Sequence, residues 1–238
     1  LHELGHSFSG LADEYGGDTT PYTGGEPSAV NVTTDPSGTK WAQWLGYDQP
    51  GIGIIAAYEG GNYSDFGVYR PSLDSKMRSL ERPFDAISRE QLILDIYTYV
   101  DPLDVWRDNS TSVSGPLSVQ VVDPQVISVD WYVDGNLVVQ SAGETFDPEN
   151  YGFTSGTHTV TAKAIDRTDW VRINRESLEQ SVSWTYVAFG IPIIPTFTRG
   201  QKTEFERLPE LGWDVLPGVD HYDIWIDNVS AGVSQYIR

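Results

Sequence analysis

Two histidines and a glutamate near the start of the chain have the residue types and the spacing of a metal site. The stretch LHELGHSFSGLADEYGG places His2 and His6 four residues apart. On an α-helix such residues lie on one face, about one turn apart, so both imidazoles can reach one ion. Glu3 lies one position further along, where its carboxylate can take a proton from a water beside the ion. The spacing therefore predicts a helix that holds a metal and carries a general base.

A third protein ligand is expected further along the same stretch. Zinc in a hydrolytic site usually takes three protein ligands and keeps one position for water. Gly10 can adopt the left-handed conformation that ends a helix and turns the chain back. Asp13 then follows at the place where a returning chain can present a side chain to the ion. Asp13 is the first candidate for the third ligand, and Glu14 is the competing one.

Three blocks of sequence resemble a known family. HELGHSFSGLADEY, followed by YEGGNYSDFGVYRPSLDSKMRSL and PFDAISREQL, is similar to the bacterial IgA-peptidase family of zinc metallopeptidases, over about residues 1–105. The layout also resembles that of the metzincins, although Gly10 and Asp13 each fall one residue later than the metzincin motif requires. Met77, the only methionine of the chain, sits where a metzincin-like Met-turn passes beneath the metal.

This resemblance implies a zinc-dependent endopeptidase acting on protein or peptide substrates. It implies that His2, His6 and Asp13 bind Zn²⁺, and that Glu3 acts as general base and then as general acid. The fold it implies is an α/β zincin-type, metzincin-like catalytic domain, of which residues 1–108 are the C-terminal portion. The chain is accordingly expected to be a fragment with little peptidase activity by itself.

The glycine-rich block before Met77 supplies further candidates for the site. A side chain in this block that donates hydrogen bonds could stabilise an oxyanion or hold substrate. The candidates are Tyr63, Tyr69 and Arg70.

The amino-acid composition of the chain disfavours several classes of binding partner and site. The chain of 238 residues carries a net charge of −19, spread along its length, which disfavours binding to nucleic acid and to anionic membranes. It has no cysteine, so no disulfide forms and no thiolate serves as a ligand or nucleophile. No apolar run approaches the roughly 20 residues that a membrane-spanning helix needs.

The middle of the first region predicts a loop and then a helix. Residues 16–75 are rich in Gly, Pro, Asp and Tyr and predict a long loop beside the cleft, with a short helix at TKWAQWLG. The stretch PFDAISREQLILDIYTYVDPLD predicts a helix that Asp85 or Ser88 could cap and that Pro102 stops.

From residue 113 onward the hydrophobic pattern changes to the period of two that is typical of strands. Four alternating runs, with a tight turn at Asp134 and Gly135, predict an antiparallel sandwich over residues 113–189 that resembles immunoglobulin-like modules of secreted bacterial enzymes. Trp131 and Trp184 are expected to fill its core. Residues 191–238 resemble the opening of a fibronectin type III-like domain.

Two functions from different classes follow. The first is a secreted or cell-surface zinc endopeptidase whose accessory sandwich modules are candidates for binding glycan, cell surface or protein. The second is a surface adhesion or binding protein that carries an inert peptidase remnant. Such a remnant would be free to lose Glu3 or a ligand, and all of them are present. The intact set favours the peptidase.

Overall fold

The computed structural model describes residues 1–189 and two further strands, at residues 224–228 and 233–237. The chain begins with helix α1, His2–Ser9. Gly10 ends this helix in the left-handed conformation (φ 60°, ψ 25°), and its backbone N–H donates to the His6 carbonyl over 3.1 Å. A residue with a Cβ would be strained there, so Gly10 permits the reversal that brings the next residues back along the helix.

The region between α1 and the second helix is more ordered than its loop-like composition predicts. It contains two small antiparallel hairpins, β1 (Asp48–Gln49) with β2 (Gly53–Ile54) and β3 (Tyr58–Gly61) with β4 (Ser64–Arg70). The predicted short helix is a single 3-10 turn, Thr39–Trp41. Large apolar side chains of this region pack against the start of the second helix in a small core, made of Trp41, Trp44, Ile52, Ile55, Ala86 and Ile87.

The second helix, α2, spans Ala86–Ile96. Its start confirms the prediction, because the Asp85 carboxylate accepts a hydrogen bond from the Ser88 backbone N–H at 2.9 Å. Its end comes six residues before Pro102. The intervening Tyr-Thr-Tyr-Val run consists of aromatic and β-branched residues, which favour helix less than the residues before it. The helix therefore ends before Pro102, the residue that the sequence predicts to stop it.

The described strands between residues 103 and 189 form two antiparallel sheets. The strands are β5 (Leu103–Trp106), β6 (Leu117–Val121), β7 (Ile127–Val133), β8 (Asn136–Ala142), β9 (Thr145–Phe146), β10 (Ser155–Asp166) and β11 (Glu179–Phe189). One sheet has the order β11-β10-β7-β8 and the other β5-β6-β9. Strand β5 lies ahead of residue 108 and still pairs with β6, so the polar stretch 108–116 connects two strands of one sheet.

Aromatic side chains fill the core between these sheets, as the sequence predicts. Trp131 and Trp184 are 0 % and 1 % exposed, and their ring centroids lie 6.1 Å apart in a stacked arrangement. Phe146 also stacks on Trp131, with ring centroids 5.1 Å apart. The turn predicted at Asp134 and Gly135 joins β7 to β8, with both residues at positive φ. The antiparallel sandwich therefore confirms the predicted strands and their core.

A buried glutamate joins α2 to the sandwich. Glu90, 3 % exposed, accepts hydrogen bonds from the Trp44 indole at 2.7 Å and from the Arg172 backbone N–H. The Arg172 guanidinium lies over the Trp44 ring, 3.8 Å from its centroid, and donates to the Gln43 carbonyl. A second link runs from the Tyr97 hydroxyl to Asp166 at 3.0 Å. The two regions are therefore connected through specific polar contacts.

The broader layout predicted from sequence is only partly visible. Residues 1–102 hold α1, α2 and two small hairpins, and the α/β zincin-type arrangement stays a prediction. Strands β12 (Ile224–Asn228) and β13 (Val233–Ile237) pair antiparallel, and the rest of the predicted fibronectin type III-like segment lies outside the described residues. Within the part of the chain that is described, no helix has the length and apolar character needed to cross a membrane.

Candidate metal centre

The two predicted histidine ligands face each other across one turn of α1. Their Nε2 atoms are 3.0 Å apart. Each Nδ1 atom is bonded to a backbone carbonyl: His2 to Lys76 at 2.9 Å, and His6 to Leu11 at 2.6 Å. Because a carbonyl oxygen can only accept, Nδ1 carries the hydrogen, and in a neutral imidazole Nε2 then keeps a free lone pair. Both rings are therefore held in the tautomer that a metal ligand requires.

Asp13 completes a triangle with the two histidines. Its Oδ1 atom lies 3.1 Å from His2 Nε2 and 3.2 Å from His6 Nε2. The residue is 4 % exposed, and Oδ1 has no hydrogen-bond donor among the described residues. These three side chains are also the one group in the described part of the chain whose His, Cys, Asp or Glu donor atoms cluster closely enough to hold an ion.

This arrangement of donor atoms fits a tetrahedral zinc ion. Ligands bound at about 2.0–2.1 Å in a tetrahedron lie about 3.3 Å from one another. The three distances between donor atoms in the triangle are 3.0, 3.1 and 3.2 Å. Two imidazoles with one carboxylate also form a donor set of the kind found in hydrolytic zinc sites, with the fourth position left for water.

The second oxygen of Asp13 is engaged by a tyrosine. The Tyr63 hydroxyl donates a short hydrogen bond to Asp13 Oδ2, and this bond raises the pKa of the tyrosine above its ordinary value. The Tyr63 ring contacts the Tyr15 ring edge-on, with centroids 5.3 Å apart. From sequence, Tyr63 is a candidate oxyanion donor, whereas the structure places its hydroxyl on the carboxylate of a candidate ligand.

Glu14, the competing candidate for the third ligand, points elsewhere. It is fully buried and accepts hydrogen bonds from Asn31 Nδ2 at 2.9 Å and Ser75 Oγ at 2.6 Å. Burial raises its pKa well above the ordinary range, and the nearby carboxylate of Asp85 adds to that effect. Glu14 therefore ties the segment after α1 to the segment before α2, and it is Asp13 whose carboxylate meets the histidines.

Met77 lies directly against α1. Its side chain is fully buried, and a Cβ built on Gly5 would come within 2.7 Å of its Sδ atom. The backbone around it supports the same site: the Met77 carbonyl accepts from the Glu14 N–H at 2.9 Å, and the preceding Lys76 carbonyl accepts from His2. The turn that contains Met77 thus contacts both the helix and the returning segment.

The remaining predicted site residues occupy different surroundings. Glu3 is on the exposed side of α1, next to His2 in the chain. Arg70 is buried, and its guanidinium donates to the Glu59 and Gly60 carbonyls at 2.6 and 2.7 Å. Tyr69 exchanges backbone hydrogen bonds with Thr33. The structure therefore places Arg70 as a brace of the β3–β4 hairpin rather than as a side chain facing substrate.

The contact of Asp13 with the histidines can be predicted from the sequence, whereas the contact of Tyr63 with Asp13 cannot. Asp13 follows the helix closely, so its approach to the histidines is foreseeable from the turn at Gly10. The contact of Tyr63 with Asp13 spans 50 residues. Its local signal is an Asn-Tyr pair after two glycines, which indicates a tight turn between strands and nothing about its neighbour.

Comparison with known proteins gives a family match in sequence and a shallow similarity in structure. No curated protein matches the chain. A structure described as Bacteroides ovatus mixed-linkage glucan utilization locus SGBP-B, in complex with mixed-linkage heptasaccharide, is 13 % identical, with a TM-score of 0.28. That similarity covers 39 % of this chain and 25 % of the other, and it carries no functional weight. Residues 1–52, which include α1 and Asp13, match the family model of IgA Peptidase M64.

Proposed function

We propose that this chain carries the zinc-binding centre of a metallopeptidase that hydrolyses peptide bonds of protein substrates. The single observation behind the proposal is the convergence of three acceptor atoms, His2 Nε2, His6 Nε2 and Asp13 Oδ1, within 3.2 Å of one another. Lone pairs that face each other at this distance repel, and a buried carboxylate oxygen without a donor is costly. A cation at the centre of the triangle would relieve both costs.

Each residue of the site has a part in the proposed reaction. His2, His6 and Asp13 would hold the ion, and their second atoms are already fixed by Lys76, Leu11 and Tyr63. Zinc bound there would polarise a water molecule and the scissile carbonyl.

Glu3, on the exposed side of α1, supplies the carboxylate that accepts a proton from the attacking water. It then returns that proton to the nitrogen of the departing amine. Glu3 therefore acts first as general base and then as general acid.

The match to a peptidase family supports a protein or peptide substrate. We propose in addition that the protein works outside the bacterial cell, as the resemblance of residues 113–189 to modules of secreted enzymes implies. The acidic character of the whole chain agrees with a partner other than nucleic acid. For the sandwich, binding of glycan, cell surface or protein stays open as an accessory role.

The proposal is tested by zinc titration of the metal-free chain in competition with a chromophoric chelator. The wild type is expected to bind one zinc ion per chain. Asp13→Ala is expected to weaken binding by tenfold or more, because it removes one of three protein ligands. Asp18→Ala is the matched control, since this exposed carboxylate lies five residues further along and accepts a hydrogen bond from the Thr20 N–H at 2.8 Å.

The outcomes separate the two functional classes. Tight binding by the wild type and by Asp18→Ala, together with loss in Asp13→Ala, supports the metallopeptidase. A wild-type chain that binds no zinc would overturn the proposal and leave the inert adhesion protein as the better reading.

A further inference from the structure

We propose that Tyr63 is a positioning residue for the metal. Its hydroxyl holds Asp13 Oδ2, so that the carboxylate presents Oδ1 alone and binds zinc through one oxygen. This inference rests on the proposed function, because it concerns the ligand set of the same centre. It assigns to Tyr63 a role different from that of an oxyanion donor.

The two oxygens of Asp13 have different surroundings. Oδ1 lies against both histidine Nε2 atoms and has no donor among the described residues, whereas Oδ2 receives the Tyr63 hydrogen. A carboxylate oxygen that accepts a hydrogen bond from a hydroxyl is oriented by it and is a poorer second donor to a metal. A two-oxygen ligand would add to the coordination of the ion at the expense of the position that a hydrolytic site keeps for water.

The hydroxyl has one hydrogen, and that hydrogen is already used. A tyrosine hydroxyl can donate a single hydrogen bond, and here it goes to Asp13. Tyr63 therefore cannot donate to a substrate oxyanion while it holds the carboxylate. Its effect on the reaction would pass through Asp13.

The backbone holds Tyr63 in a conformation that a tyrosine seldom adopts. Asn62 and Tyr63 have φ values of 47° and 67°, at the turn between β3 and β4. A bulky residue in this left-handed region costs on the order of 1 kcal/mol or more. The ring is 56 % exposed, so packing alone offsets little of that cost.

Backbone hydrogen bonds to the segment after α1 compensate for the strained turn. The Asn62 N–H donates to the Asp13 carbonyl at 2.8 Å, and the Tyr63 N–H donates to the Tyr15 carbonyl at 3.0 Å. The Tyr63 carbonyl accepts from the Asp18 N–H at 2.9 Å. The turn and the Asp13 segment are thus fixed to each other on both sides of the hydroxyl–carboxylate contact, which places the phenol where it must be to orient Asp13.

The test compares Tyr63→Phe with Tyr58→Phe in the full chain, by zinc affinity and by the visible absorption of the cobalt(II)-loaded protein. Tyr58 is the matched control because its hydroxyl donates to the Ile54 carbonyl, in strand β2 of the other hairpin, and not to Asp13. Tyr63→Phe is expected to weaken zinc binding about 10- to 100-fold, as the loss of a hydrogen bond to a ligand does. It is also expected to weaken the cobalt absorption, because the freed Oδ2 turns to the ion and raises the coordination number above four.

A third variant separates positioning from a purely conformational role. Tyr63→Gly removes the hydroxyl and also relieves the strain of the positive φ. If Tyr63 serves only the turn, Tyr63→Gly would bind zinc as tightly as the wild type with an unchanged cobalt spectrum, and the inference would be wrong. The positioning role predicts that Tyr63→Gly weakens binding as Tyr63→Phe does.

The controls tell failure of this inference from failure of the proposed function. If the wild type binds zinc tightly, Asp13→Ala binds weakly and Tyr63→Phe equals the wild type in both readouts, only the role of Tyr63 is overturned. If the wild type binds no zinc, or Asp13→Ala binds as well as the wild type, the ligand set is wrong and the inference falls with it.

Discussion

The region around the candidate metal centre and the sandwich are stabilised by different kinds of contact. Among the described residues, 12 of the 14 buried polar or charged side chains lie before residue 97. The sandwich, in contrast, has one continuous apolar core of 17 buried residues, centred on stacked aromatic rings. Hydrogen bonds to buried polar groups are directional, whereas burial of apolar surface is not. The first region is therefore built to fix the positions of atoms, and the second to supply stability.

This contrast explains why single side chains matter differently in the two regions. The triangle of acceptor atoms depends on hydrogen bonds that His2 and His6 donate to the Lys76 and Leu11 carbonyls and on the one that Asp13 accepts from Tyr63. Each of these bonds orients one candidate ligand. In the sandwich, by comparison, each core side chain contributes mainly through its volume. Substitutions near the metal centre should therefore change metal chemistry more than folding, and core substitutions in the sandwich should do the reverse.

The largest effect is expected from Glu3→Gln, which tests the first half of the contrast. The change removes the proton acceptor without changing a metal ligand, so peptide hydrolysis should fall about 10²- to 10⁴-fold while zinc affinity stays the same. The measurement compares turnover of a protein substrate by the wild type and by Glu3→Gln. Glu81→Gln, on an exposed turn, is the matched control. Unchanged hydrolysis in Glu3→Gln would exclude Glu3 as the general base.

Trp131→Ala tests the second half of the contrast, that core side chains of the sandwich contribute mainly to stability. Trp131 is fully buried and stacks with both Trp184 and Phe146, so its truncation should lower the free energy of unfolding by about 3–5 kcal/mol. Zinc affinity of the folded chain should not change. Urea unfolding followed by circular dichroism gives the stability, and Leu137→Ala, at an exposed position, should stay within about 0.5 kcal/mol of the wild type. A large loss of zinc affinity in folded Trp131→Ala would contradict the separation of the two regions.

The sequence predicts the parts of both regions that depend on local pattern. The four-residue spacing of His2 and His6 requires only that a helix forms, and the turn at Gly10 makes the approach of Asp13 foreseeable. The strands of the sandwich show their alternation directly in the sequence, and the Asp-Gly pair marks their tightest turn. In each case the residues that meet are close in the chain or share a simple period.

Contacts between segments that are distant in the chain cannot be predicted from the sequence in this way. Glu14 and Asp13 are adjacent acids, and only the packing of Ser75 and Asn31 decides that Glu14 is buried away from the histidines. The contact between Glu90 and the Arg172 backbone spans 82 residues. No periodicity or turn signal encodes such pairs, because they arise when separately predictable elements pack against one another.

Glu90→Ala tests how strongly the two regions are coupled at the junction between them. Removal of this carboxylate leaves the Trp44 indole and the Arg172 N–H without their acceptor in a buried position. Each unsatisfied group costs about 1–3 kcal/mol, so the unfolding free energy should fall by at least about 2 kcal/mol.

The measurement follows urea unfolding by tryptophan fluorescence and by zinc release in parallel. The two transitions should separate in Glu90→Ala if the junction couples the regions. Glu176→Ala, in the 3-10 helix Arg175–Leu178, is the control, since it is exposed. Coincident, unshifted transitions in Glu90→Ala would show that the polar junction contributes little to coupling.

The smallest effect is expected from a charged pair on the sandwich surface, and it is visible as a dependence on pH. His158 Nδ1 lies 2.8 Å from Asp134 Oδ2, while Nε2 lies 3.0 Å from the Ser155 carbonyl. Both ring nitrogens thus face acceptors, which favours the imidazolium. The hydrogen bond to Asp134 raises the pKa of His158, and the same bond lowers the pKa of Asp134.

The directions of these two pKa shifts set the pH range in which the pair stabilises the folded chain. His158 contributes stability that is fully present below its unfolded pKa of about 6.5 and is lost as pH rises through its higher folded pKa. Asp134 contributes stability that is present above about pH 3.9 and is lost as pH falls through its lower folded pKa. The difference in melting temperature between wild type and His158→Gln should therefore be largest near pH 5–6 and shrink toward pH 9.

Because the pair is partly exposed, its contribution should be no more than about 1 kcal/mol. Thr161→Val, on the same strand, is the control, and its difference from wild type should be independent of pH because neither side chain titrates. A His158→Gln difference that is equally flat from pH 5 to pH 9 would mean that the pKa of His158 is the same in the folded and unfolded chains, and it would contradict the predicted ion pair. In that case the His158–Asp134 contact would orient the turn without adding charge-dependent stability to the sandwich.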